Sequence, residues 1–154
     1  MKRLFIAVVL MIVSTAAHSQ MFDGFIDGAG VGDVNTVISH LEQKGYKREI
    51  SEKYPNSPLI FMLGTLQPQN IDVLIYMKRE KHDTTKIGYI CIYFPPSVNV
   101  WKDYIAHRKK FTDVFGKPKK SYKTKSYWMG QDDIIYTIGV EDGHVYHSLE
   151  KIKL

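Results

Sequence analysis

Two stretches of the chain repeat their apolar side chains at the spacing of a helix. Val34, Val37, Ile38 and Leu41 follow the i, i+3, i+4, i+7 pattern, which gathers them on one face and predicts a helix over Val34–Lys44. Asp33 stands where a carboxylate accepts from the orphan amides of a first turn, and Gly45 supplies a left-handed stop. The second predicted helix runs from Val100 to Phe115, capped by Asn99 and closed by Gly116 and Pro118. Trp101, Tyr104, Ile105, Arg108, Phe111, Thr112 and Phe115 are expected along its inward side, with the Arg108 stem buried and its charge outside.

Elsewhere the period falls to two or the run is continuously apolar. Pro58–Leu66, Ile71–Lys78 and Lys86–Phe94 read as strands, separated by Gln67-Pro68-Gln69-Asn70 and by the charged connection Arg79-Glu80-Lys81-His82-Asp83. In the middle strand Ile71, Val73, Ile75 and Met77 point one way, while Asp72, Tyr76 and Lys78 point the other. That alternation suits an antiparallel sheet with one covered face. Further strands are expected at Tyr122–Trp128, Asp133–Val140 and His144–Lys151, the last two joined by a tight turn at Glu141-Asp142-Gly143, with a short one at Tyr46–Ser51. The fold class is therefore α+β: two helices on one face of an antiparallel sheet, in the order helix, strands, helix, strands. The endings Lys44-Gly45-Tyr46-Lys47 and Phe115-Gly116-Lys117-Pro118 are alike, as a degenerate internal repeat or the ordinary chemistry of two C-caps would make them.

The first residues belong to a different pattern. Lys2 and Arg3 precede an unbroken apolar run of 10 residues, Leu4–Val13, followed by Ser14-Thr15-Ala16-Ala17-His18-Ser19. A basic start, a short apolar run and small residues at Ala17 and Ser19 make a signal peptide over 1–19, cut before Gln20. The run falls short of the roughly 20 residues that cross a bilayer. The expected organisation is a signal peptide at 1–19 and one exported domain at 20–154, periplasmic or secreted. Of 154 residues, 44% are hydrophobic and 24% charged, enough apolar material for a core and too much for disorder. Without residues 1–19 the chain carries 19 Lys+Arg against 16 Asp+Glu, a net charge of +3. Cys91 is the single cysteine, so stability comes from packing and not from an internal disulfide.

Phe22-Asp23-Gly24-Phe25-Ile26-Asp27-Gly28 ahead of a helix ending Leu41-Glu42-Gln43-Lys44-Gly45-Tyr46, and a later Trp101-x-x-Tyr104 helix ending Phe115-Gly116-Lys117-Pro118, resemble small exported proteins of Bacteroidota, a domain of unknown function. Those proteins usually end the second helix in Tyr-Gly-Lys-Pro, where this chain has Phe115. The resemblance covers most of residues 22–118, implies an exported α+β domain and carries over no catalytic residue. In outline the architecture is also similar to small secreted inhibitor domains, a likeness of fold alone.

Conventional reaction chemistry finds little footing. Beyond the signal segment stand His40, His82, His107, His144 and His147; the close pair His144-x-x-His147 points to opposite faces of a strand. No metal and no cofactor is expected. Cys91 lies mid-strand between Ile90 and Ile92 and reads as a buried, inert thiol. Ser39-His40 do not face each other on a helix, and Ser97, Ser121 and Ser126 lack a nucleophile elbow. Asp132-Asp133, Glu141-Asp142 and Asp23/Asp27 read as turn acids, not as a hydrolytic pair. Asp27-Gly28 with Gly30 and Gly32 lacks the preceding strand and spacing of a phosphate loop.

Two surfaces remain as candidates. Lys117, Lys119, Lys120, Lys123 and Lys125 lie among Tyr122, Tyr127 and Trp128, shortly after Arg108, Lys109 and Lys110. Basic charge beside aromatics suits an anionic glycan or lipid surface or an acidic protein; export argues against nucleic acid. The second surface is aromatic: Tyr89 and Tyr93 share one side of their strand with Cys91, Tyr76 joins them, and Tyr136 or Tyr146 adds a ring from the terminal hairpin. The expected ligand contacts are Tyr76, Tyr89, Tyr93, Lys119, Lys120, Lys123, Lys125, Tyr127 and Trp128. The expected function is non-enzymatic binding of a protein or envelope component; the alternatives are a periplasmic inhibitor or accessory protein acting through a loop, then a small hydrolase.

Overall fold

The computed structural model describes residues 33–49, 58–66, 70–130 and 133–152. The expected signal segment 1–19, the Phe22–Gly28 motif, Gly30, Gly32 and Asp132 lie outside the described residues, as do Ile50 and Ser51 of the first short strand and Gln67, Pro68 and Gln69 of the turn between the next two strands. In chain order the elements are α1 (Val34–Gln43), β1 (Lys47–Glu49), β2 (Leu59–Leu66), β3 (Ile71–Arg79), β4 (Ile87–Tyr93), α2 (Val100–Phe115), β5 (Lys120–Ser121), β6 (Lys125–Met129), β7 (Ile134–Glu141) and β8 (His144–Lys151). They form a mixed α/β structure in which a helix followed by four strands occurs twice.

All eight strands join one antiparallel sheet in the order β1-β2-β3-β4-β8-β7-β6-β5. Each half is a meander, so every pairing but one is between neighbours in sequence. The exception, β4 with β8, joins the last strand of each half at the centre, with Cys91 opposite Ser148 and Ile92 opposite His147. The edges are a strand of three residues, Lys47–Glu49, and one of two, Lys120–Ser121. Short charged edges discourage pairing with a further chain.

Strand alternation sorts the side chains onto two faces. Ile60, Met62, Val73, Ile75, Met77, Ile90, Ile92, Ile138, Val145 and Leu149 are buried in one cluster with Val34, Val37 and Leu41 of α1 and with Tyr104 and Phe111 of α2. Asp33 caps α1 through Thr36 N, 2.9 Å from its carboxylate oxygen, and that amide holds the Asp33 carboxyl below its usual range. The α1 start is tied down by Val34 N donating to Thr85 O at 2.8 Å. The connection it meets is itself braced: Asp83 accepts from the Thr85 hydroxyl and pairs with Lys86 at 2.9 Å, lowering its carboxyl to about 2. Beyond the α1 stop at Gly45 (φ +89°), the Tyr46 ring lies directly on Gly64, where an added Cβ would sit 2.3 Å from a ring carbon.

Three expectations change here. The α2 span agrees with the periodicity, but Asn99 makes no side-chain cap; its backbone carbonyl accepts from Lys102 and Asp103 instead. Trp101 and Ile105 are 46% and 63% exposed, so they leave the inward side, which belongs to Tyr104, Phe111 and the half-buried His107. The helix carries more apolar positions than one stripe holds, and Phe111 stacked on Phe115 at 4.4 Å and tilted on Trp128 at 4.8 Å decides which stripe is buried. Third, Tyr122–Trp128 is not one strand. β5 and β6 make a tight hairpin closed by Tyr122 N donating to Lys125 O at 2.7 Å.

Candidate functional site

The face turned away from the buried cluster is the one that carries the tyrosines. Its register reads straight across all eight strands: Glu49–Phe61–Tyr76–Cys91–Ser148–Thr137–Tyr127–Lys120. At the centre of this row Cys91, Ser148 and Thr137 are small and buried at 0%, 6% and 8% exposure. Aromatic rings border them on both sides. The next row reads Leu74–Tyr93–Tyr146–Gly139–Lys125, and on the far side Tyr89 stands opposite Glu150.

At Gly139 the missing side chain makes room for a ring. A Cβ added at Gly139 would meet the Tyr146 ring at 2.5 Å, so this ring rests on the strand backbone and shows its other face outward. Tyr93 and Tyr146 are 5.8 Å apart, Tyr76 and Tyr89 5.9 Å, and Phe61 and Tyr76 5.4 Å. These are the separations of cross-strand aromatic pairs. Burial raises the Tyr89 phenol, and burial together with the Glu141 carboxylate, which accepts the Tyr93 hydroxyl at 2.8 Å, raises that of Tyr93. Both stay neutral donors at any physiological pH. Towards the Tyr93 end the face opens into a recess of about 1090 Å³ lined in part by Leu63, Thr65, Asp72, Leu74, Tyr93 and Glu141.

Beneath Tyr89 and Tyr93, Cys91 is fully buried. Burial pushes its thiol up to about 12, which removes the thiolate a nucleophile needs. His147 is buried on the other face of the sheet, where it meets His107. There His147 Nε2 and His107 Nδ1 of α2 are 2.8 Å apart, with the Phe94 ring 4.9 Å and 4.6 Å from the two rings. His144 lies on the tyrosine face with its Nδ1 2.7 Å from Phe94 O. Asp133 and Asp142 occupy left-handed turn positions at φ +58° and +48°. Among the described residues no group of three His, Cys, Asp or Glu could hold a metal ion.

The expected contacts divide. Tyr76, Tyr89 and Tyr93 share this face with Tyr127, Lys120 and Lys125. The two lysines lie over tyrosine rings, Lys120 Nζ 4.9 Å from the Tyr122 centroid and Lys125 Nζ 5.5 Å from that of Tyr127. Lys119 and Lys123 are exposed at the β5–β6 hairpin, away from the central row. Trp128 is no surface residue: it is 2% exposed, packs on Phe111 and donates its indole N–H to Gly116 O at 2.9 Å. Alternation along β6 puts it on the face opposite Tyr127. Of the two candidate rings from the last hairpin, Tyr146 joins the tyrosines, whereas Tyr136 stacks with Phe115 at 5.6 Å on the buried side.

Tyr122 was named beside the lysines but not among the expected contacts, and the sequence pattern did not single out Phe61, Thr137, Ser148 or Gly139. β2 is apolar on both phases, so alternation could not place Phe61; Thr137-x-Gly139 alternating with Ile138 and Val140 is the signal that could have marked a small-residue row. Fold and site together define a mixed α/β domain whose antiparallel sheet buries one face and lines the other with tyrosine. No protein-family model, curated protein or solved structure matches the chain.

Proposed function

We propose that this chain is an exported, non-enzymatic binding domain that takes a protein or another envelope component on its tyrosine-lined sheet face. In this reading both helices roof the opposite face, which leaves the tyrosines uncovered. The observation that carries the proposal is the row Cys91–Ser148–Thr137, small and buried, with tyrosines on the strands around it. Rings held flat lose little entropy on contact and offer an apolar face with a hydroxyl at the rim. A catalytic reading has no equivalent support. The thiol is protonated, His107 and His147 are on the far side of the sheet from it, His144 Nδ1 lies 2.7 Å from Phe94 O, and Asp133 serves a turn.

The test compares the chain with its Tyr89→Ser/Tyr93→Ser variant, both immobilised and exposed to solubilised cell envelope. The expected result is a species retained in stoichiometric amount by the parent and reduced at least about tenfold by the substitutions, the loss of one or two interface hot spots. Equal retention by both, with the variant's fold intact by circular dichroism, would move the contact surface off this face.

A further inference from the structure

The charge of the domain is concentrated at one end. Residues 100–130 hold nine Lys or Arg against two Asp, a net +7, whereas the rest of 20–154 holds ten against fourteen Asp or Glu, a net −4. The fold brings the two basic runs of that segment together. α2 lies against the β5–β6 hairpin, with Tyr104 Oη 3.0 Å from Ser126 Oγ and Arg108 Nη2 3.4 Å from Ser121 Oγ. A groove of about 490 Å³ runs between α2 and the Lys117-Pro118 connection, lined by Ile105, Arg108, Lys109, Thr112, Lys117 and Pro118. Lys109 pairs with Asp113 at 2.6 Å; Lys117, Lys119 and Lys123 are exposed beside it.

The same end carries apolar side chains that the core does not use. Trp101 and Ile105, one turn apart on α2, are 46% and 63% exposed, and Val98 just before the helix is fully exposed. A soluble polyanion needs the lysines but has no use for Trp101 and Ile105. A bilayer surface uses both. Anionic headgroups attract the basic residues, while tryptophan and a branched aliphatic chain settle at the boundary between headgroups and acyl chains. We infer that this pole, made by the outer side of α2 and the β5–β6 hairpin, docks peripherally on an anionic lipid bilayer. The contact uses the outer side of α2 with Lys117, Lys119 and Lys123, and leaves Tyr76, Tyr89 and Tyr93 open. Nothing spans the membrane in this arrangement; no helix of the described residues is long and apolar enough to do so.

The experiment sediments the chain with vesicles of phosphatidylcholine alone or mixed with phosphatidylglycerol. Residues 1–19 are omitted, because their apolar run would enter lipid by itself, and every described element is retained. Binding is expected only to the anionic vesicles and is expected to collapse between about 0.1 and 1 M salt, as the Debye length shrinks from about 10 to 3 Å. Lys117→Ala, Lys119→Ala and Lys123→Ala together should weaken binding on the order of 100-fold, about fivefold per charge. Trp128 is buried, so a blue shift of tryptophan emission on binding reports Trp101; it should vanish in Trp101→Ser/Ile105→Ser along with most of the binding. Tyr89→Ser/Tyr93→Ser should bind vesicles as the parent does, which separates this contact from the tyrosine face. No binding in low salt overturns the inference. So does equally tight binding to a soluble sulfated dextran, or vesicle binding without an emission shift, since either would make the pole a site for polyanions.

Discussion

Phe111→Ala is expected to cost about 3–5 kcal/mol, the upper range for truncating a buried aromatic. Phe111 is 0% exposed, stacked on Phe115 and within 4.8 Å of Trp128, 6.0 Å of Tyr136 and 6.3 Å of His147, measured between ring centroids. It therefore joins α2 to three strands of the second half-sheet. The neighbours cannot collapse into the space, because Trp128 is fixed by its hydrogen bond to Gly116 O and His147 by its bond to His107. Phe111→Leu keeps most of the volume and should cost roughly 1–1.5 kcal/mol. Denaturant midpoints read both values, and a loss below about 1 kcal/mol for the alanine variant would show that α2 is not anchored as described.

The second large effect is a dependence of stability on mild acid. Desolvation, and then the positive charge of Lys110, holds His107 below the ordinary imidazole value. Desolvation, then His107, then Lys110 holds His147 well below it. Both rings are neutral in the folded state, one donating and the other accepting across 2.8 Å. In the unfolded chain each takes a proton near its ordinary value of about 6.5. The unfolded state thus binds more protons as pH falls below 6.5, and stability drops there by up to about 1.4 kcal/mol per pH unit for each imidazole. The stability is fully present above pH 6.5 and is lost on acidification. Asp33 and Asp83, whose carboxyls are also lowered, start from a value of 3.8 and act only at more acid pH. Urea unfolding should show a fall on the order of 2 kcal/mol from pH 7.5 to 5.0. His107→Phe/His147→Leu should flatten the dependence, since two apolar groups of similar shape replace a matched polar pair. A parent chain equally stable at both pH values would contradict the neutral pair.

Local pattern carried the elements further than their assembly. Both helix spans followed from Val34-x-x-Val37-Ile38 and from the Gly45 and Gly116 stops, because helical period and capping are properties of neighbouring residues. The phase of β3 was equally legible, since Asp72, Tyr76 and Lys78 alternate with Val73, Ile75 and Met77. The orientation of α2 was not. Trp101 and Ile105 are as apolar as Tyr104 and Phe111, and only the Phe115–Phe111–Trp128 stack chooses between the stripes. The β5–β6 hairpin was hidden because Tyr122 and Tyr127 read as one aromatic strand, whereas they meet edge to face across a turn at 5.9 Å. The central pairing of β4 with β8 joins residues some fifty positions apart, such as Cys91 and Ser148, and no local spacing encodes it. For the candidate site this matters directly. Tyr76, Tyr89 and Tyr93 were recognisable as a cluster, but the small-residue row between them and Tyr127 exists only once β4 meets β8.

A sheet with one buried face and one tyrosine face has a distinct signature in hydroxyl-radical footprinting read by mass spectrometry. Tyr76, Tyr89, Tyr93, Tyr127 and Tyr146 should be labelled rapidly in the native chain. Tyr46, Tyr104, Phe111 and Trp128, each at most 4% exposed, should resist until the protein unfolds. Protection of Tyr89 and Tyr93 together with labelling of Tyr104 and Trp128 would mean that the faces are reversed, and the tyrosines would then be core.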